Sequence, residues 1–188
     1  MNPIFGAALE IQSFCRGLRW RFCFIEAGAV QRWGEPRLTQ DVDLTLLTGF
    51  GGEERFVDAL LDRFAGRRPD VRDFALRHRV LLLESASGVP LDIALGAMPF
   101  EERAVSRASS FEIGGGEGLL TCSAEDLVVF KVFAGREKDW LDVEGIAVRQ
   151  GDRLDEALVF GELAPLLELK GVPEAKERLR SLLHKARS

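Results

Sequence analysis

The sequence predicts an α/β (α+β) chain, a small mixed β-sheet flanked by helices and followed by a helical C-terminal portion. Three observations carry this reading. Short apolar runs suited to strands recur at 21–25, 40–47 and 90–95, with acids alternating into the last two. Apolar residues at helical spacing fill 3–18 and 53–64, between and before those runs. From Leu119 onward the pattern is mostly helical. The expected organisation is a core over 1–118, with 119–188 packed on it as a helical portion.

In order, Pro3–Leu18 places Ile4, Ala8, Ile11, Phe14 and Leu18 on one helical face. Arg21–Ile25 reads as the first strand, and Gly28–Trp33 as a short helix stopped by Gly34-Glu35-Pro36. Gln40–Leu47 is the second strand, closed by the glycine-rich turn Gly49-Phe50-Gly51-Gly52. Glu53–Phe64 gathers Phe56, Val57, Leu60, Leu61 and Phe64 on one face, with acids at its start where the helix dipole favours them. Gly66–Asp70 is a basic loop.

Phe74–Ser85, with its run Val80-Leu81-Leu82-Leu83, and Pro90–Leu95 flank the turn signal Ser87-Gly88 and predict a β-hairpin. Glu101–Arg107 reads as a short polar helix, and Phe111–Ile113 and Leu119–Cys122 as brief strands around a glycine-rich loop. Ser123-Ala124-Glu125-Asp126 has the layout of a helix N-cap with an acid three residues on. The helix is expected over Leu127–Phe133, with a second stretch through Trp140 and more helix over Leu154–Leu183, interrupted at Gly171-Val172-Pro173.

Composition sets the class. A chain of 188 residues with 46% hydrophobic and 29% charged residues is long enough for a proper core and ordinary for a globular protein. A net charge of -5 argues against a general nucleic-acid coat while leaving room for a local basic cleft. No run reaches membrane-span length and no signal-peptide layout opens the chain, so a cytoplasmic location without membrane partners is expected. The three cysteines are widely spaced and read as buried reduced thiols, and the two histidines lie too far apart for a zinc site.

The chemistry-bearing residues are acids inside strands. Asp41 and Asp43 lie two apart and face one way, while Val42 and Leu44 face the core. Two like charges side by side repel, and a hard divalent cation such as Mg2+ relieves that repulsion. Asp92 is a third isolated acid in an apolar strand, opposite in face to Leu91 and Ile93. Asp139 and Asp142 share a helical face by their spacing, and an exposed acidic face salted to Arg136 and Lys138 explains them equally well.

In sequence these elements form a glycine turn after a strand, a short helix, Asp-x-Asp on the next strand and a lone Asp on a later one. That order resembles the nucleotidyltransferase superfamily with its polymerase-beta-like fold. Trp33-Gly34-Glu35-Pro36-Arg37, Thr39, Asp41-Val42-Asp43 and Ser123-Ala124-Glu125-Asp126-Leu127 with Lys131 look like the AbiEii/MNT-type bacterial nucleotidyltransferases. So does Arg136-Glu137-Lys138-Asp139-Trp140-Leu141-Asp142. The resemblance implies transfer of a nucleoside monophosphate from an NTP, such as ATP, to a hydroxyl, with Mg2+ held by Asp41, Asp43 and Asp92. Asp92 would stand on the nucleophile side. Gly28 and Ala29 would cradle the triphosphate through backbone N–H groups, with Arg37, Lys131 and Asp139 as further nucleotide contacts.

One departure separates this chain from the pattern. Glu26-Ala27 stands where members of that family carry Gly-Gly, if the alignment follows Ala29-Val30-Gln31-Arg32-Trp33. If it follows the glycine, Gly28-Ala29 is the turn. Both registers remain open. The functions implied are a toxin-like enzyme modifying tRNA or a protein, with an antitoxin as partner, or an enzyme acting on a small antibiotic-like hydroxyl compound. The third is a nucleotide-binding or interaction module impaired by Glu26.

Overall fold

The computed structural model describes residues 2–26, 28–35, 39–112 and 118–186. It forms two compact units, one of residues 1–28 and 38–122, the other of 29–37 and 123–188.

The first unit holds a seven-stranded mixed sheet in the order β3-β4-β5-β2-β1-β7-β6. Its strands are β1 (Phe22–Phe24), β2 (Val42–Leu47), β3 (Ala65–Gly66), β4 (Val80–Glu84), β5 (Pro90–Gly96), β6 (Ser109–Glu112) and β7 (Gly118–Thr121). β2 runs antiparallel to β1 and parallel to β5, and β4 and β5 form the expected antiparallel hairpin. Asp43 therefore belongs to an interior strand rather than an edge, with Asp41 one residue before that strand. The alternation expected along β2 and β5 is realised, since Val42, Leu44, Leu91 and Ile93 are all fully buried.

Helices α1 (Pro3–Gly17), α3 (Glu54–Leu61) and α4 (Val71–His78) supply that buried face. Ala7, Ala8 and Ile11 of α1, Phe56, Val57 and Leu60 of α3, and Val71 and Ala75 of α4 share one apolar cluster with the inward residues of β2, β4 and β5. α1 starts where Asn2 accepts the backbone N–H of Ile4. α4 is a correction to the sequence reading, which runs the first hairpin arm back to Phe74. Residues 71–78 form two helical turns, and Arg79 ends them in the left-handed region at φ 57 before β4 begins. The Arg79 guanidinium ties the junction by donating to the Gly49 and Leu95 carbonyls and pairing with Glu53.

The opposite face of the sheet is closed at one end by α5 (Pro99–Arg107). Thr45 on β2 donates to Glu101 at 3.0 Å, and Glu101 accepts the backbone N–H groups of Ala97 and Met98. Gly96 allows this approach, because a Cβ there would lie 2.8 Å from Thr45 Oγ1.

The second unit contains α6 (Ala124–Ala134), α7 (Glu137–Gln150), α8 (Glu156–Lys170) and α9 (Ala175–Ala186), and takes in most of α2 (Gly28–Trp33). The Ser123 cap is formed as the sequence suggests, its Oγ accepting the Asp126 N–H at 3.1 Å. α7 runs ten residues past the expected end at Trp140, to Gln150. Within this unit Arg149 and Gln150 donate to the carbonyls of Gly34 and Trp33, fixing the end of α2. Among the described residues no helix is long and apolar enough to cross a membrane.

Candidate active site

The site grows from the parallel pairing of β2 and β5. Their register sets Asp43 directly beside Asp92, and neighbouring residues of a parallel pair project to the same face. Both acids lie on the face opposite the apolar cluster, beyond the end that α5 covers. Asp41 precedes β2 by one residue, and Thr39 donates its hydroxyl to Asp41 Oδ1 at 2.9 Å and to the Asp41 carbonyl at 3.1 Å. The next strand, β1, leads to Glu26, and the Ile25 N–H donates to the Asp43 carbonyl at 3.1 Å.

Glu26 is only 8% exposed and bears electrostatically on Asp92. Burial pushes the Asp92 carboxyl above its ordinary value. Arg67 opposes that shift, while the charges of Asp41 and Glu26 reinforce it. The charges of Asp41 and Glu26 thus bear on Asp92, with Asp43 in register beside it.

Arg67 is the partner of this face that the sequence reading does not place there, since in that reading it belongs only to a basic loop. The backbone N–H of Arg67 donates to the Leu82 carbonyl at 3.0 Å, one residue past the β3–β4 register pair Gly66–Leu83. Leu82 in turn pairs with Asp92 and Asp92 with Asp43. Arg67, Leu82, Asp92 and Asp43 form one cross-strand row, and the Arg67 guanidinium reaches over Leu82 to pair with Asp92 Oδ1. A two-residue strand carries no alternation of its own, so nothing in the sequence announces this pairing.

The donor set suits a hard divalent cation in kind, since three aspartates face one side and two of them are in register. As they stand, no three Asp, Glu, His or Cys side chains among the described residues are gathered closely enough to hold a metal ion. Arg67 already engages the Asp92 carboxylate.

Gly28 opens α2 and packs against β7, where a Cβ would lie 3.2 Å from Leu119 Cδ1 and 3.6 Å from Thr121 Cγ2. A side chain there would be tight against Leu119, which would have to shift by a few tenths of an ångström. Ala29 is fully buried, backbone included. Ala27 and Arg37 lie outside the described residues.

Lys131 and Asp139 belong to the second unit and meet each other there. Lys131, on α6, is 2% exposed, with Nζ 2.8 Å from Asp142 Oδ2 and 3.5 Å from Asp139 Oδ1. Arg136 precedes α7 and donates to Asp139 from Nε at 2.6 Å, from Nη2 at 3.0 Å and from its backbone N–H at 3.1 Å. Burial raises the Asp139 pKa, but the Arg136 hydrogen bonds and the Lys131 and Arg136 charges outweigh it and hold the carboxyl below its ordinary range. The exposed acidic face considered for Asp139 and Asp142 is not what forms, since both are buried.

Neither a protein-family model nor a curated protein matches the sequence. Solved structures share its fold. The chain resembles an antigenic nucleotidyltransferase-like protein from Paracoccidioides brasiliensis, with a TM-score of 0.52 and 15% identity over 96% of this chain and 91% of that one. It also resembles the antibiotic-resistance factor ANT(2'')-Ia, with a TM-score of 0.55 and 15% identity over 95% of this chain and 99% of that one. The chain carries a nucleotidyltransferase-like fold. At this identity the likeness speaks for the fold alone.

Proposed function

We propose that the chain is a divalent-cation-dependent nucleotidyltransferase, related to the AbiEii/MNT type, that moves a nucleoside monophosphate from an NTP to a hydroxyl acceptor. The observation that carries the reading is the β2–β5 register, which sets Asp43 beside Asp92 on the sheet face opposite the apolar cluster. Asp41 is oriented by Thr39 at the start of the same strand. Mg2+ bound by Asp41, Asp43 and Asp92 would activate the acceptor oxygen and neutralise charge on the leaving pyrophosphate.

The chain's own residues have separable tasks. Asp43 and Asp92 present adjacent carboxylates, and Asp92, on the hairpin side, would draw the proton of the acceptor hydroxyl. The backbone of Gly28 and Ala29 would meet the triphosphate, with Arg37 as its cationic contact. Glu26 adds a negative charge that bears on Asp92 and would oppose a triphosphate without removing the carboxylates. Lys131 and Asp139 serve by keeping the α6–α7 corner in shape through their buried ion cluster.

For the acceptor, the toxin-like reading points to tRNA or protein. Transfer to a small hydroxyl compound is favoured by the internal pairing of the basic segment. Arg68 is paired with Asp70, Arg72 with Asp58 and Glu54, and Arg67 with Asp92, which reduces the positive surface offered to a polyanion.

The test is transfer of label from α-32P-NTP into cell extract with Mg2+ or Mn2+. Asp43→Asn and Asp92→Asn should each lower it by about a hundredfold or more, as expected for loss of a metal ligand. Unchanged transfer in both variants would remove the site assignment.

A further inference from the structure

We infer that Arg67 is a built-in counter-ion of the carboxylate face, which a divalent cation has to displace from Asp92 before it can be held there. The inference rests on the proposed nucleotidyltransferase reading and deepens it, because it says what occupies the third carboxylate before the cation arrives.

Three facts support it. Arg67 lies in the same cross-strand row as Asp92 and Asp43, with only Leu82 between, so the guanidinium reaches Asp92 by the shortest path the sheet allows. The neighbouring arginines turn elsewhere. Arg68 pairs with Asp70 and stacks over Phe74 at 3.9 Å, and Arg72 bridges to α3 through Asp58 and Glu54. Arg67 and Asp92 are part-buried, their side chains 28% and 31% exposed, so the pair is neither locked in the core nor washed out by solvent.

A guanidinium on Asp92 Oδ1 and a divalent ion on the same carboxylate would repel across a few ångström. The two are therefore alternatives. With Arg67 in place the face is partly neutralised, and the ligands are not gathered. Withdrawal of Arg67 leaves Asp92 free to turn toward Asp43.

The experiment is a Mn2+ titration of the full chain, followed by the electron paramagnetic resonance signal of free Mn2+. Arg67→Gln should tighten Mn2+ binding about fivefold, the factor expected for removing a competing part-exposed ion pair. Arg68→Gln removes the same charge one residue away and should leave affinity within about twofold, because Arg68 is paired with Asp70 rather than with the carboxylate face. Equal affinity of Arg67→Gln and the unaltered chain, or equal tightening by Arg68→Gln, would overturn the inference while leaving the carboxylate site standing. If the Asp43→Asn variant binds Mn2+ as tightly as the unaltered chain, the proposed metal site fails and the inference with it.

Discussion

Lys131→Met offers the sharpest separation between a structural and a nucleotide-binding role for the second unit. The substitution keeps the length and apolar stem of the side chain and removes only the charge. In its place the structure leaves two buried carboxylates, Asp139 fully buried and Asp142 nearly so, without the cation 2.8 Å from one and 3.5 Å from the other. Removing one partner of a buried ion pair typically destabilises by about 3–5 kcal/mol, because the remaining charge stays desolvated. Asp139 keeps its hydrogen bonds from Arg136, so the lower end, about 3 kcal/mol, is expected. In a chain of this size that corresponds to a fall in Tm of about 6–12 °C. Differential scanning calorimetry measures it, and the double variant Lys131→Met with Asp142→Asn should recover part of the loss by removing the stranded charge. If Lys131→Met melts within about 2 °C of the unaltered chain while NTP affinity collapses, the lysine is a phosphate contact and the ion-cluster argument is refuted.

Asp139 also gives a pH signature. Its folded pKa is held below the ordinary 3.8, so the stabilisation is fully present above that value and is lost as pH falls through the folded pKa. Urea midpoints measured between about pH 6 and 2 should fall on the acid side, and Asp139→Asn should flatten that decline while lowering the neutral-pH midpoint. Glu26→Gln removes a charge that pushes Asp92 upward, so a carbon-13 carboxyl titration should show the Asp92 pKa moving down toward its ordinary value. Ser123→Ala deletes the α6 cap and should destabilise by about 1 kcal/mol, seen as a Tm lower by about 2–4 °C.

Much of this was readable from residue order because it depends on short-range periodicity. The alternation in Asp41-Val42-Asp43-Leu44 and Leu91-Asp92-Ile93 separates the acid face from the apolar face before any strand is paired. The Ser123 cap is local in the same way. α4 escaped because its two turns lead straight into an apolar strand, and Val71, Phe74, Ala75 and His78 make too short a pattern to outweigh the run that follows. The full length of α7 escaped because Leu141 and Val148 remain exposed and blur its amphipathic face.

What the sequence determined by itself is the set of elements and the facing of three aspartates, since period two along a strand needs no partner. What only the tertiary structure decided is company. Asp43 meets Asp92 through a parallel register formed between segments some fifty residues apart. Arg67 meets Asp92 because three strands stand side by side, and Lys131 meets Asp139 and Asp142 because two helices pack. Charge pairing falls off within ångströms, while positions in the chain say nothing about distances across it. For that reason the carboxylates could be read along the chain, and the cations that answer them could not.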